Sequence, residues 1–209
     1  MQGTRALDLV LLHSPYCWPY HCTLEQESQP WQAAWLTLES LKTAGLVANI
    51  GVSNFDLAQL QQLQGLSNTR VAAVQNWCDP FHQDRWVRSL AARSGMVYMA
   101  YSSLGTQWLG KTGGSNPVLE SPVLRGIGAE HGGASVSEVV LCWLLQEGVV
   151  AIPRSGSAAH IAANSLGRLY EDSAKPESVE SGGAYRCFLT EENLATIRAL
   201  DGTLGTPWE

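Results

Sequence analysis

Five short apolar runs rich in valine and leucine recur along the chain: "LDLVLLH" (7–13), "LVANIGVS" (46–53), "VAAVQNW" (71–77), "MVYMAYS" (96–102) and "VVAIPRS" (149–155). Apolar side chains on both faces of such runs are the pattern of strands inside a parallel sheet, and the first run predicts a strand buried on both sides. Between the runs lie segments of helical period. "PWQAAWLTLESLKTAG" sets Trp31, Trp35, Leu38 and Leu41 on one face, with Pro30 suited to the first turn and Gly45 to the C-terminal cap. "HQDRWVRSLAARSG" groups Trp86, Val87, Leu90 and Ala91 and closes on Gly95. "SVSEVVLCWLLQEG" opens with Ser135 and Glu138 at capping-box spacing and closes on Gly148. "DLAQLQQLQG" and "SAAHIAANSLG" are shorter helical segments. Strand alternating with helix implies parallel strands joined by right-handed crossovers.

Two stretches interrupt the alternation. "GTQWLGKTGGSNPVLESP" is rich in glycine and serine and reads as a long loop leading to a short helix at "VLRGIGAEHG". Residues 171–186, acidic and polar, read as a surface loop, and 189–201 as a last amphipathic helix with Thr190 as N-cap. Nothing long enough to be an interdomain linker appears, so residues 1–209 are expected to form one domain.

Composition narrows the function classes. The chain has 209 residues, 45% of them hydrophobic, and a net charge of −6. A clustered basic face of the kind that binds nucleic acid is not expected. No apolar stretch reaches the roughly 18 residues of a membrane span. Five cysteines, an odd number, fit free thiols in a reducing compartment and hence a cytoplasmic location. His13, Cys17, His21 and Cys22 fall together in "HSPYCWPYHC", but the spacing is not that of a common zinc motif and the segment reads as a loop. No metal is expected.

Chemistry gathers where the runs end. In parallel sheets and barrels, ligands bind at the C-terminal ends of the strands. These runs end in His13, Ser53–Asn54, Gln75–Asn76, Tyr101–Ser102 and Arg154–Ser155. Asn and Gln side chains can hold a planar carboxamide, and Tyr101 offers a flat face to a ring. Arg154 with Ser155 and Ser157 at a helix start suits an anion. Carboxamide, ring and phosphate together point to a nicotinamide dinucleotide.

The segments "GLVANIGVSNF", "AAVQNWCDPFHQD", "AYSSLG" and "LCWLLQEGVVAIPRS...HIAAN" resemble, in order and spacing, signature segments of the aldo-keto reductases, from about residue 7 to residue 168. "LTEENLATIRALDG" is similar to the helix that follows that family's barrel. The resemblance implies an α/β fold, a partial (β/α)8 barrel of the TIM type with five parallel strands, the fourth to eighth of the barrel, and surrounding helices. It implies NADPH-dependent reduction of small aldehydes or ketones. His13 matches the catalytic histidine that orients the carbonyl. Ser53, Asn54 and Gln75 match the residues at the nicotinamide carboxamide, and Tyr101 the tyrosine stacked on the ring. Ser102, Leu104 and Gly105 match the loop over the pyrophosphate. Arg154 and Ser155 match the 2′-phosphate contacts and Asn164 an adenine contact.

The sequence also departs from the family. His160 and Ala163 stand where an arginine and a glutamate usually serve the adenine end, which implies weak NADP binding. Asp79–Pro80 replaces a usual His–Pro and reads as a variant turn. The first three strand–helix units, which carry the family's catalytic aspartate, tyrosine and lysine, have no counterpart in this sequence. Lys42, Lys111 and Lys175 are the only lysines, and none ends a predicted strand. Tyr16 and Tyr20 follow His13 in a loop within reach of the site, but neither is expected to be the proton donor. The chain by itself is therefore expected to be inactive and to self-associate through unpaired barrel edges. The alternative is a noncatalytic cofactor-binding or protein-interaction module on the same half-barrel.

Overall fold

Strand and helix alternate in the computed structural model as the periodicity predicts. It describes residues 6–16, 30–164 and 189–205. The elements are β1 (Leu7–Leu12), α1 (Trp31–Thr43), β2 (Val47–Ser53), α2 (Leu57–Leu66), β3 (Ala73–Trp77), α3 (Arg85–Arg93), β4 (Val97–Tyr101), a 3-10 turn (Thr106–Trp108), α4 (Pro122–Glu130), α5 (Val136–Gln146), β5 (Val150–Ala151), α6 (Ala158–Ala163) and α7 (Glu191–Arg198). The strands are parallel and form one sheet in the order β1-β2-β3-β4-β5, so neighbours in space are neighbours in sequence. That is the order of consecutive right-handed β-α-β units.

One device delivers the chain from helix to strand three times. After α1, Gly45 N donates to Lys42 O and Leu46 N to Leu41 O. After α3, Gly95 N donates to Ala92 O and Met96 N to Ala91 O. After α5, Gly148 N donates to Leu145 O and Val149 N to Leu144 O. Each is a Schellman closure around a left-handed glycine, with an apolar residue following it. The helix starts follow sequence too. Ser135 and Glu138 form the capping box of α5, and Thr190 caps α7. Pro30 sits at the N-cap of α1, one position before the first turn.

Contacts divide the chain into two compact units: Met1–Asn76 with Asp84–Met99, and Trp77–Gln83 with Ala100–Glu209. In the first, Trp35, Ile50, Phe55, Leu60 and Leu63 are fully buried. Complete burial of an indole such as Trp35 removes about 150–250 Å² from water, or about 4–6 kcal/mol before entropy is counted. In the second unit, Trp108, Leu124, Val139, Leu144 and Ile197 play the same part.

Three expectations change. β1 is exposed rather than buried on both sides: Leu7 is 60% and Leu9 38% accessible. Among the described residues β2 alone pairs with it. The fifth apolar run contributes only the two residues of β5, because Pro153 lacks the N–H that would continue the ladder. Trp86 is 77% exposed, whereas Val87, Leu90 and Ala91 form the buried face of α3. Val87 meets both Leu90 and Ala91 at spacings of three and four, whereas Trp86, four residues from Leu90 alone, lies at the margin of that face. The predicted surface loop at 171–186 lies outside the described residues.

Candidate functional site

In the first unit, polar groups collect where β1, β2 and β3 end. Parallel register sets Ser53 beside Gln75. Ser53 Oγ, buried, donates to the Gln75 carbonyl at 2.7 Å, and Asn54 N donates to the same carbonyl at 3.1 Å. Asn54 then turns into the left-handed region, with φ at 60°. Asparagine adopts this conformation more readily than other residues with a side chain. Its Nδ2 donates to the His13 carbonyl at 2.8 Å and to Ser53 Oγ at 3.2 Å. His13, just past β1, is thereby tied to the end of β2 through its backbone while its side chain stays exposed. Gln75 is half-buried.

Asn76, one of the polar strand ends in the sequence, turns out to be a brace. Its amide accepts from Phe55 N at 3.2 Å and donates to Phe55 O at 2.8 Å, fixing the backbone that leaves Asn54. Asp84, itself left-handed with φ at 46°, accepts from Asn76 Nδ2 and from Tyr98 Oη. Tyr16 Oη accepts from Gln59 Nε2 at 2.7 Å. Cys17, Tyr20, His21 and Cys22 lie outside the described residues.

In the second unit the site residues sit on the loop after β4 and around β5. Tyr101 is half-buried and Ser102 is left-handed, with φ at 54°. Gly105 closes the turn by donating to Ser102 O at 3.0 Å, with φ at 83°. No side chain fits there: a Cβ would lie 2.2 Å from Asn116 Oδ1 and 2.9 Å from Val118 Cβ. Asn116 staples the loop, its Nδ2 donating to Leu104 O at 2.9 Å while Oδ1 accepts from Val118 N and Leu119 N. Ser103 Oγ is buried without a hydrogen-bond partner. Arg154 is exposed and Ser155 Oγ accepts from Ser157 N at 3.1 Å. Ser157 caps α6, where His160 is exposed, and Asn164 forms its C-cap.

Beside this loop lies a carboxylate whose place before Pro80 predicts no more than a variant turn. Asp79 is fully buried. Its Oδ1 accepts from Phe81 N at 2.8 Å and His82 N at 3.1 Å; its Oδ2 accepts from the indole N–H of Trp77 at 2.8 Å and of Trp108 at 2.9 Å. Burial pushes the carboxyl up to about 6, against the pull of those four bonds. His82 stacks on Trp77 at 4.0 Å, and burial lowers its pKa, opposed by the Asp201 charge. Two indoles 2 and 29 positions from Asp79 leave no local signal in the sequence.

Comparison with known proteins gives a consistent picture. Residues 2–166 match the Aldo/keto reductase family. The chain is similar to "Aldo-keto reductase family 1 member A1" of Cricetulus griseus, 32% identical over 169 residues, covering 76% of this chain and 52% of that protein. The protein of the same name from Homo sapiens is 31% identical over 185 residues, covering 83% and 56%. The chain thus spans about half the length of the curated relatives it matches. Among solved structures, an aldo-keto reductase of the silkworm Bombyx mori superposes with a TM-score of 0.74 at 25% identity, covering 94% of this chain and 54% of its own. The structure of that silkworm protein complexed with NADPH gives 0.74 at 24% identity, covering 94% and 55%.

Proposed function

Because the chain belongs to the aldo/keto reductase family, we propose that it binds NADPH and serves the reduction of small aldehydes or ketones. The observation that carries this reading is the cluster of Ser53, Asn54 and Gln75 at adjoining strand ends, seated by backbone bonds and tied to His13. The donor set fits the group. A hydroxyl and two carboxamides can supply both donors and acceptors to the cofactor's own carboxamide. The loop from Ser102 to Gly105 has a turn with no room for a Cβ and a buried hydroxyl, Ser103 Oγ, without a partner. Tyr101 would face the ring, Arg154 and Ser155 the 2′-phosphate, and Asn164 the adenine. His160 and Ala163 offer little to the adenine end, so binding is weak. The buried thiols of Cys78 and Cys142 suit a reducing, cytoplasmic setting.

When bound, NADPH supplies hydride. The chain's own contribution is to hold the carbonyl in place, with the His13 imidazole donating a hydrogen bond to the oxygen as negative charge gathers there. Proton delivery is the weak link, and general acid catalysis is worth about 10²–10⁴-fold. Lys42 Nζ donates to Ala48 O at the end of α1, and Lys111 lies 5.8 Å from the Trp108 ring; Lys175 lies outside the described residues. Neither of these contacts involves a tyrosine. That favours a chain that binds cofactor but does not turn over by itself, or a noncatalytic binding module.

The test is a titration of NADPH and NADH followed by the fluorescence of the eight tryptophans, then NADPH oxidation with a nitrobenzaldehyde. Expected are saturable NADPH binding, weakened at least about tenfold in Asn54→Ala by loss of a hydrogen-bonded carboxamide contact, and no useful turnover. Arg154→Ala should erase the preference over NADH. Absence of NADPH binding at millimolar cofactor would refute the reading. Turnover by the chain alone, abolished in Tyr16→Phe, would reveal an acid in that loop.

A further inference from the structure

The buried carboxylate of the second unit has no part in the chemistry above, yet it holds Trp108, three residues past the cofactor loop. Trp108 follows Gly105 by three residues, and its N–H donates to the Gly105 carbonyl. Its indole reaches Asp79 Oδ2. The loop is therefore held at two points: Leu104 by Asn116, and Trp108 by Asp79. Ser102–Gly105 lies at the first point and runs toward the second.

The anchor behind Asp79 is firm. Asp79 and His82 exchange backbone bonds of 2.9 and 3.1 Å, closing a tight bridge. Gln83, buried, donates through Nε2 to Pro80 O and to Ile197 O in α7, and through its backbone N to Asp201. Gly202 N donates to Phe81 O. The turn is thus bolted to the end of the C-terminal helix. Trp77 completes the nest, with its ring edge-on to Trp108 at 5.4 Å. A neutral residue would be easier to bury here. A carboxylate is the side chain that can accept from two indoles with one oxygen and from two backbone amides with the other.

We propose that Asp79 is a positioning residue for the cofactor loop, its Oδ2 fixing Trp108 and through it the conformation of Ser102–Gly105. This rests on the assignment of that loop to the dinucleotide, and the experiment separates the two. Asp79→Asn, Trp108→Phe and Trp77→Phe are compared with wild type by amide hydrogen exchange over residues 102–109 without cofactor, by NADPH affinity, and by the indole N–H resonances. Trp77→Phe removes the other indole donor from the same oxygen but lies on β3, outside the loop.

Loss of a bond to a charged acceptor predicts at least about tenfold faster exchange of the loop amides in Asp79→Asn and Trp108→Phe. NADPH affinity falls by a similar factor in both. Trp77→Phe changes either by less than about threefold, since it leaves the Trp108 bond intact. The Trp108 indole resonance, identified by its loss in Trp108→Phe, moves upfield in Asp79→Asn. Asp79→Asn also relieves a buried charge, so a looser loop without lower global stability distinguishes clamping from general damage. If Asp79→Asn fails to fold, Trp108→Phe against Trp77→Phe carries the comparison. Wild-type exchange in both Trp108→Phe and Asp79→Asn, or equal loosening by Trp77→Phe, overturns the proposal. Loop loosening in a chain that binds no NADPH would uphold the clamp and refute the cofactor assignment.

Discussion

Gly105→Ala tests the loop at its tightest point. The substitution must first adopt φ near 83°, where a Cβ costs about 1–2 kcal/mol. The new methyl would then lie 2.2 Å from Asn116 Oδ1, so Asn116 has to leave. Its departure breaks the bond to Leu104 O and the two bonds that cap Val118 N and Leu119 N. At about 1 kcal/mol for each bond, less what water restores at the half-exposed positions, the loss is about 2 kcal/mol. The whole effect is about 3–4 kcal/mol, or about 10 °C in Tm for a chain of this size. Thermal unfolding followed by circular dichroism reads it directly. A double-mutant cycle with Asn116→Ala sharpens the assignment: once Asn116 is cut back, Gly105→Ala should cost about 2 kcal/mol less, leaving the dihedral and the Val118 contact. A Tm within about 2 °C of wild type for Gly105→Ala, or strict additivity in the cycle, would refute the reasoning.

The remaining predictions concern the two units separately. Asp79 keeps its proton to about pH 6 in the fold against an ordinary value of 3.8, so the folded state holds more protons in that window and Asp79's share of stability rises as pH falls through it. At about 1.4 kcal/mol per pH unit, wild type should gain about 2 kcal/mol relative to Asp79→Asn between pH 7 and pH 4, measured by urea unfolding; parallel curves would contradict this. The depressed His82 acts the opposite way, its stability being lost as pH falls, which is why the comparison is made against the variant. Asn54→Gly should melt higher than Asn54→Ala, by about 1 kcal/mol, because glycine tolerates φ of 60°, while both weaken NADPH binding. Leu9→Lys on β1, which pairs with β2 alone among the described residues, should reduce self-association in light scattering; unchanged mass would exclude β1 as the associating edge.

The sequence conveyed the alternation of strand and helix because that information is local. Apolar period, the Ser135–Glu138 spacing and the glycines after α1, α3 and α5 each act within a few residues. The ends of the strands were legible for a related reason: polar residues closing apolar runs mark where a parallel sheet meets a ligand or water. What stayed hidden depends on partners far away in the chain. The exposure of Leu7 and Leu9 follows from which strands lie beside β1, and no property of "LDLVLLH" records that. Asp79 before a proline has the composition of any turn; only folding brings Trp108 to it. Asn116 sits in a glycine-rich stretch where nothing marks it as the staple of Leu104. Asn76 reads in the sequence as one more polar strand end, but its amide is spent on the Phe55 backbone and on Asp84, which no local pattern records.

The bolts on Gln83 also set a timetable for synthesis. Its backbone N–H bonds to a residue 118 positions later and its amide to one 114 positions later. A ribosome adding about 5–20 residues per second needs about 6–24 s to make that interval, whereas local helices and turns form in microseconds. During that wait the nascent turn around Asp79 can hold its own short-range bonds but not those to the C-terminal helix. A fully fastened turn is therefore a late event, and until it occurs the tryptophans that converge there are open to chaperones and proteases.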